Sequence, residues 1–285
     1  MATLVVRHTT IYRYARPVAF GEHRLMVRPR DSHDLRLLST DIELAPAASI
    51  RWLHDVFGNS IAVASFKEPA DELRCVSTLR LEHYPSSEPD FAIEPYARTY
   101  PFSYSGAEVP DIGRLAERHY PDPQHRIDAW ATEFVAAGAD TDTHAMLVDM
   151  TKAIKAGFAY VRRDEEGTQT PVETLEKRTG SCRDFALFMM EAVRSLGLGA
   201  RFVTGYLYGE GSTGGGATHA WVQVYLPGAG WIEFDPTNGL VGSANLIRVG
   251  VTRDPSQAIP ISGAYTGEPE DYLGMTVEVA IESEA

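Results

Sequence analysis

One cysteine lies where the sequence predicts the start of a helix. Ser181 and Asp184 have the S-x-x-D spacing of a capping box, with Ser181 as the N-cap residue. Cys182 would then take the first helical position, where unpaired backbone N–H groups and the helix dipole favour the thiolate over the thiol. A thiolate could attack a carbonyl carbon there, and the same N–H groups could hold the oxyanion. The alternatives are a structural cysteine, and an Asp184 that only caps the helix.

A predicted β-hairpin downstream carries a histidine and an aspartate. Residues 218–225 alternate between two faces, turn formers follow at 227–230, and residues 231–237 continue as a strand. His219 begins the first strand and Asp235 ends the second. A helix-start thiol needs a base, which an imidazole supplies, and the imidazole needs an acid to fix its tautomer. Cys182, His219 and Asp235 are therefore the candidate catalytic residues.

The register of this hairpin decides whether the imidazole and the carboxylate meet. With Val224 opposite Gly230 the two side chains face each other directly. With Leu226 opposite Trp231 they emerge on opposite faces of the sheet. The turn residues do not choose between these registers. An ordinary edge histidine and an aspartate that ends a strand therefore remain an open interpretation.

Two further features lie beside the candidate catalytic residues. Trp221 shares the predicted face of His219 and is the candidate substrate-binding residue, since its ring would wall the histidine from water. As an apolar hairpin residue, Trp221 could instead belong to the core. The glycine-rich segment 209–216 directly precedes the hairpin, and glycines hold a fixed shape only at an entropic cost. We expect a mobile loop at the rim of the cleft, although a plain flexible connector explains the segment equally well.

The elements that must position these residues are helices followed by strands. Apolar residues recur with helical spacing at 111–120, 143–158 and 182–196, and strand patterns follow at 201–208, 218–226, 231–235 and 273–281. Helices followed by antiparallel strands indicate an α+β fold. The last of these helices would carry the cysteine, and the antiparallel sheet would carry the histidine and the aspartate.

The first hundred residues have a different pattern, with short strands separated by turn residues. This pattern is typical of a β-sandwich. Five prolines follow between residues 85 and 110, and extended segments of this kind commonly separate domains. We therefore predict an N-terminal β-sandwich domain at 1–105 and a catalytic core at 106–285.

Four motifs of the second domain, in chain order, resemble the transglutaminase-like core. They are GSCRDFA at 180–186, LGLGARFVTGY at 196–206, HAWV at 219–222 and FDPT at 234–237. The N-terminal residues, with Arg28-Pro29-Arg30 among them, look like the β domain that precedes this core in bacterial members. Residues 250–254 and 260–267 resemble the C-terminal segment of those members. The resemblance thus extends over nearly the whole chain.

The resemblance implies a papain-like α+β core that transfers an acyl group from an amide through a thioester. By that resemblance Cys182 is the nucleophile, His219 the base and Asp235 the orienting acid. The acceptor differs among members, where an amine gives cross-linking and water gives hydrolysis. Papain-like enzymes also hold the oxyanion with a donor upstream of the cysteine. Gln169 and Tyr160 lie upstream here, and the motifs align neither of them to that role.

Composition excludes several classes of partner. The 285 residues include 26 Lys and Arg against 39 Asp and Glu, a formal net charge of −13. Because such a surface repels phosphates, neither nucleic acid nor a membrane is an expected partner. With only Cys75 and Cys182, a disulfide scaffold is excluded, and we interpret Cys75 as core filling. The chain start lacks the signal-peptide pattern and no apolar run suits a membrane helix, so we expect a cytoplasmic protein.

The predicted function is hydrolysis of an amide or peptide bond in a peptide or protein substrate, by a cysteine peptidase or amidase. Transamidation is the other outcome of the same chemistry. No cofactor and no metal ion are predicted. Two alternatives remain open: a catalytically silent scaffold or binding protein that keeps the fold, and a zinc site formed by Cys182, His219 and Asp235.

Overall fold

Strands predominate in the computed structural model, which describes residues 2–84, 91–163, 167–209, 216–242 and 244–284. Within these ranges the α-helices are α1 (Glu108–Ile112), α2 (Arg126–Thr132), α3 (Thr143–Gly157), α4 (Pro171–Lys177) and α5 (Cys182–Ser195). The strands are β1 (Ala2–Phe20), β2 (His23–Arg28), β3 (Leu35–Ala45), β4 (Ala48–His54), β5 (Ser60–Phe66), β6 (Ala70–His83), β7 (Thr99–Tyr100), β8 (Thr141–Asp142), β9 (Ala159–Tyr160), β10 (Thr179–Gly180), β11 (Ala200–Tyr208), β12 (Gly216–Leu226), β13 (Gly230–Asp235), β14 (Leu240–Val241), β15 (Leu246–Thr252), β16 (Ile261–Ser262), β17 (Tyr265–Thr266) and β18 (Tyr272–Glu284). None of the described helices is long and apolar enough to cross a membrane.

The N-terminal strands form two sheets whose apolar side chains pack together. In the first sheet β1 pairs with both β6 and β18, and β3 extends the sheet beyond β6. The second sheet has the strand order β16-β2-β5-β4. Because alternate residues of β1 point to opposite faces, Leu4 and Val6 are buried in one cluster with Met26 and Val63 of the second sheet. Cys75 is buried in a second shared cluster, and burial raises the pKa of its thiol to about 12, as a core-filling role requires.

The C-terminal strand belongs to the first of these sheets. β18 pairs antiparallel with β1 from Thr3 opposite Glu284 to Tyr14 opposite Tyr272. Ile281 is buried in the cluster that β1 and β6 share with the second sheet. This pairing differs from the predicted division, which assigned every residue after 105 to the catalytic core. A sheet edge leaves backbone N–H and C=O groups unpaired, and a strand from any position in the chain can satisfy them.

The rest of the fold is a sheet of order β14-β13-β12-β11-β15 with helices packed against it. Side chains of β12 at Ala220, Val222 and Val224 join the apolar cluster built by α3 and α5. The helices predicted at 143–158 and 182–196 are confirmed as α3 and α5. The helix predicted at 111–120 is wrong over most of its length. There α1 ends at Ile112, because Gly113 adopts a φ of 43° and the next residues form a 3-10 turn.

The glycine-rich segment before β12 is described only at its two ends. Gly209 follows β11 directly and Gly216 begins β12, whereas residues 210–215 lie outside the described ranges. The predicted rim loop therefore stays a prediction. At Gly216 an added Cβ would lie 2.5 Å from Cγ1 of Ile281, so this glycine allows β18 to approach the start of β12.

Candidate active site

Helix α5 places Cys182 at its first residue, as the capping pattern predicted. Ser181 is the N-cap in an extended conformation, and its backbone N–H and its hydroxyl both donate to Asp184 Oδ2 at 2.8 Å. The Cys182 side chain is partly exposed and packs against the core cluster. Backbone N–H groups in the first turn of a helix have no intrahelical partner, so they are available beside this thiol.

Asp184 ties the start of α5 to two other segments of the chain. Its side chain is fully buried, and its Oδ1 accepts hydrogen bonds from the Gln169 backbone N–H at 2.7 Å and from Arg163 at 2.9 Å. Burial raises the pKa of Asp184, but the hydrogen bonds from Ser181, Gln169 and Arg163 outweigh it, and the pKa lies below its usual value. The capping interpretation of Asp184 is confirmed, and the same carboxylate anchors the chain that precedes α4.

The hairpin that carries the histidine and the aspartate adopts a register that neither prediction named. Leu226 lies opposite Gly230 and Val222 opposite Phe234, so both predicted registers are wrong. Relative to the first predicted register, each residue has moved by two positions. Because side chains alternate with a period of two, this shift keeps every side chain on its face. The imidazole and the carboxylate are therefore diagonal neighbours on one face, rather than direct partners.

His219 and Asp235 are hydrogen-bonded to each other. His219 Nε2 lies 2.8 Å from Asp235 Oδ2, and both side chains are buried. The other oxygen, Oδ1, accepts from the backbone N–H groups of Thr237 at 3.0 Å and Asn238 at 3.3 Å. The side-chain amide of Asn238 donates to Oδ2 at 2.7 Å. Our sequence reasoning missed Asn238, for which the signal was the turn chemistry of residues 236–239.

The thiol of Cys182 completes this cluster. It is hydrogen-bonded to the His219 ring, whose Nε2 faces Asp235. Burial lowers the pKa of His219, but hydrogen bonds with Asp235 and Cys182 and the charges of these two groups outweigh it and raise the pKa to about 9. Such an imidazole is cationic at neutral pH. The fold thus brings together the three side chains that the sequence selected.

Two parts of the chain match models of known protein families. A family model described as the transglutaminase-like superfamily matches residues 128–236. A second, described as the bacterial transglutaminase-like N-terminal region, matches residues 4–82. The chain belongs to the transglutaminase-like superfamily. The resemblance drawn from the sequence motifs is therefore confirmed, and thiol-dependent acyl transfer or hydrolysis is the general chemistry of this superfamily.

Relatives of this transglutaminase-like chain come from several bacteria. An uncharacterized protein of Mycobacterium leprae is 25% identical over 284 residues, covering 96% of this chain and 97% of that protein. The protein-glutamine gamma-glutamyltransferase of Pseudomonas aeruginosa is 26% identical over 167 residues, covering 55% of this chain and 23% of that protein. A crystal structure of a candidate cysteine protease from Cytophaga hutchinsonii has a TM-score of 0.70 and 18% identity, covering 100% of this chain and 98% of that chain. The last likeness shows a shared fold.

Trp221 backs the histidine in this transglutaminase-like core. Its side chain is fully buried, and its ring stacks on His219 with the centroids 5.9 Å apart and 26° between the planes. The indole N–H donates to Glu233. The ring therefore lies beside the imidazole with its plane nearly parallel to it, a position compatible with the predicted shielding from water. A fully buried ring offers no surface to a substrate in this conformation, so its position does not support the predicted substrate contact of Trp221.

Of the two upstream residues considered as oxyanion donors, Tyr160 lies beside the thiol. β9 pairs in parallel with β10, with Tyr160 opposite Gly180, two residues before Cys182. The side chain is 55% exposed, and desolvation together with the charge of Cys182 raises the pKa of its hydroxyl. Gln169 is buried instead, and its side-chain amide donates to the Thr179 carbonyl oxygen at 2.9 Å.

The zinc alternative finds no support in the arrangement of these side chains. Among the residues that the structure describes, no group of three or more histidine, cysteine, aspartate or glutamate side chains is arranged to hold a metal ion. Instead, Asp235 Oδ2 lies 2.8 Å from Nε2 of the His219 ring, and that ring is also hydrogen-bonded to Cys182.

Proposed function

We propose that this protein hydrolyses an amide or peptide bond in a peptide or protein substrate through a thioester on Cys182. The observation that carries the proposal is that one imidazole connects the two other groups. His219 is hydrogen-bonded both to the Cys182 thiol and to the buried Asp235 carboxylate. A helix-start thiol, a base and an orienting acid are the parts that acyl transfer by a cysteine nucleophile needs.

The reaction follows from these three groups. His219 holds the proton as an imidazolium beside the Cys182 thiolate, and this thiolate attacks the amide carbonyl carbon to form a C–S bond while the carbonyl electron pair moves to oxygen. Collapse of this tetrahedral intermediate breaks the C–N bond, and the amine leaves with the proton from His219. Water then gives a proton to His219 and attacks the thioester, which releases the acid and restores the Cys182 thiolate beside the His219 imidazolium. An amine in place of water would give a transamidated product.

The oxyanion needs donors that point to the carbonyl oxygen. The backbone N–H of Cys182 at the start of α5 supplies one, because it is not committed to the helix. We assign the second to the hydroxyl of Tyr160, which is exposed beside the thiol. The raised pKa of this hydroxyl keeps its proton available for a hydrogen bond. Tyr160→Phe removes only this donor and should lower kcat with little change in KM.

Hydroxylamine tests the acyl-transfer step directly. The protein is incubated with a peptide library and hydroxylamine, which intercepts a thioester as a hydroxamate. We expect hydroxamates from the natural chain and from Cys75→Ala, the matched control with its buried cysteine removed. We expect none from Cys182→Ala. Hydroxamates that persist without Cys182 would overturn the proposal.

Thiol alkylation separates an enzyme from a silent scaffold. An activated Cys182 should react with iodoacetamide much faster than Cys75, which is buried with a pKa raised to about 12. His219→Ala should slow the alkylation of Cys182 to nearly the rate of an unactivated thiol, because the imidazolium partner is lost. A Cys182 that reacts at the rate of a simple exposed thiol, with no hydroxamate formed, would favour the scaffold.

A further inference from the structure

A second carboxylate lies on the same face of β13 as Asp235, two residues earlier along the strand. It belongs to Glu233, which is only 5% exposed. Asp235 binds His219, and Glu233 binds the indole N–H of Trp221. The two rings that these carboxylates hold are stacked on each other, with their centroids 5.9 Å apart. The hairpin therefore supports the imidazole of His219 in two ways: Asp235 binds its Nε2, and Glu233 holds the neighbouring ring of Trp221.

Glu233 is surrounded by hydrogen-bond donors. Its Oε2 accepts from Trp221, and its Oε1 accepts from the Gln223 amide at 2.7 Å and from Arg248 at 2.6 Å. The orientation of the Gln223 amide is fixed, because its oxygen accepts from Arg201 at 2.7 Å. Burial raises the pKa of Glu233, whereas the Arg248 guanidinium opposes that rise. The pKa of Glu233 is raised overall by burial, whereas the donors directed at both of its oxygens favour the carboxylate form.

A carboxylate on the indole N–H changes what the ring can do. The hydrogen bond fixes the plane of Trp221 and increases the electron density of the ring. A cation over an aromatic face within about 6 Å of the centroid is attracted by that density, most strongly where water is excluded. His219 is buried with its ring centroid 5.9 Å from that of Trp221 and its plane inclined by 26°, and it carries the cationic charge in the proposed reaction.

We propose that Glu233 is a positioning residue for His219, which acts through the Trp221 ring to orient the imidazole and to stabilise its cationic form. The inference rests on the proposed function, in which His219 exchanges a proton with Cys182. The role of Trp221 is then to transmit the effect of Glu233 to His219, and not to contact the substrate. It also explains why a charged group is buried at this position, where an apolar side chain would cost less to desolvate.

The support extends beyond the hairpin into the N-terminal part of the chain. Arg248 of β15 bonds Glu233 through Nη1 and reaches Asp34, which precedes β3, through Nη2 at 3.4 Å. Among the described residues, the titratable and charged groups Cys182 and Asp235 face His219, while Arg248 and Arg201 face Glu233.

The test is the titration of the His219 ring in the full-length chain. Carbon-13 labelling of histidine gives one ring signal per histidine, and the His219 signal is the one lost in His219→Asn. In Glu233→Gln we expect the pKa of His219 to fall by about one unit, a tenfold change in its protonation equilibrium. Trp221→Phe keeps the stacked ring but removes the N–H, and it should lower the pKa by a similar amount.

A double variant tests whether Glu233 acts through Trp221. If it does, Trp221→Phe combined with Glu233→Gln should give the His219 pKa of Trp221→Phe alone, because the connection is already cut. If the two substitutions lowered the His219 pKa additively, Glu233 would not act through the Trp221 indole, and that part of the inference would be overturned. An unchanged His219 pKa in folded Glu233→Gln would overturn the inference altogether. If Glu233→Gln does not fold, the shift in Trp221→Phe decides alone.

Glu191→Gln is the matched control. Glu191 is also a fully buried glutamate, and its hydrogen bonds go to Arg194 on α5 and to the backbone N–H groups of His119 and Tyr120. Glu191→Gln should lower the thermal midpoint and leave the His219 pKa unchanged. If the His219 pKa fell as much in Glu191→Gln as in Glu233→Gln, the fall would be due to a general loss of stability. The titration needs no substrate, so a chain that forms no hydroxamate counts against the proposed function and not against this coupling.

Discussion

The proton on His219 connects the chemistry of the site with the stability of the fold. The imidazole is buried, which by itself disfavours the cation, yet Asp235 and Cys182 raise its pKa to about 9. Asp235 can do so because two backbone N–H groups and the Asn238 side chain hold its carboxylate in place. The hydrogen bond between Asp235 and the imidazole of His219 therefore depends on the turn at residues 236–239, which follows β13.

The raised pKa of His219 predicts a pH dependence of stability. The folded pKa of about 9 exceeds the ordinary value of 6.5, so the stabilisation is fully present below pH 6.5 and is lost as the pH rises through 9. The difference in unfolding free energy between the natural chain and His219→Asn should fall by up to about 3 kcal/mol over this interval. Denaturant unfolding at several pH values measures it. A difference that is constant between pH 6 and pH 10 would contradict the assignment.

Asn238 should matter for turnover rather than for substrate binding. Asn238→Ala removes the donor 2.7 Å from Asp235 Oδ2, so the carboxylate holds the imidazole less firmly. We expect kcat for hydroxamate formation to fall about tenfold with KM nearly unchanged. Thr237→Val is the matched control in the same turn, because the buried hydroxyl of Thr237 has no hydrogen-bond partner among the described residues. Equal losses in both variants would show that the turn, and not the amide, is responsible.

At the scale of elements, the helix and the hairpin place the thiol and the imidazole by different means. The start of α5 is set by local bonds between Ser181 and Asp184 and then fastened to the chain before α4 through Gln169. The hairpin is placed by its neighbour β11, where Gly205 lies opposite His219. An added Cβ at Gly205 would lie 2.7 Å from the Trp221 ring, so a residue without a side chain is needed for that ring to pack.

Loss of the Asp184 charge should loosen the start of α5. Asp184→Asn keeps the size of the side chain but weakens its bonds to Ser181, Gln169 and Arg163, and we expect the unfolding free energy to fall by about 2–3 kcal/mol. Because the pKa of Asp184 is lowered in the fold, its stabilisation is present above its ordinary pKa of 3.8 and is lost as the pH falls below it. The difference between the two chains should therefore shrink in acid. Slower alkylation of Cys182 in the variant would report the same loosening at the thiol.

At the scale of the whole molecule, the N-terminal sheets are bonded to the strand beside the site. His8 Nδ1 lies 3.0 Å from the Tyr206 hydroxyl, and His83 Nδ1 lies 2.8 Å from the Tyr208 hydroxyl. Burial lowers the pKa of both histidines, which favours their neutral form. Both tyrosines belong to β11, which pairs with the histidine-bearing strand. The N-terminal strands therefore help to hold β11 in place, and β11 in turn holds the strand that carries His219.

The C-terminal strand should contribute stability through one end only. Ile281 is buried with Leu4 and Val6 of β1, whereas Leu273 on the same strand is 65% exposed. We expect Ile281→Ala to lower the unfolding free energy by about 2–4 kcal/mol and Leu273→Ala to change it by less than about 0.5 kcal/mol. Denaturant unfolding of the full chain measures both. A similar cost for the two substitutions would contradict the pairing of β18 with β1.

The candidate catalytic residues could be selected from the sequence because their signals are local. A cap and its partner lie within four residues of Cys182, and alternation along the hairpin puts His219 on one face whatever strand lies beside it. The cost of a wrong register was small here, because a shift by two positions preserves the face. Local patterns also give the helices α3 and α5, whose apolar residues repeat with the helical period.

Only the tertiary structure decided the contacts between residues far apart in the chain. Asn238 on Asp235, Glu233 beneath Trp221, and Arg248 reaching Asp34 depend on the rotation of each side chain and on which strands are neighbours. The pairing of β18 with β1 is of the same kind, because a sheet edge accepts any strand of suitable pattern. Short-range backbone preferences leave fingerprints in the sequence, whereas the choice among many possible long-range partners is made by packing of the whole chain.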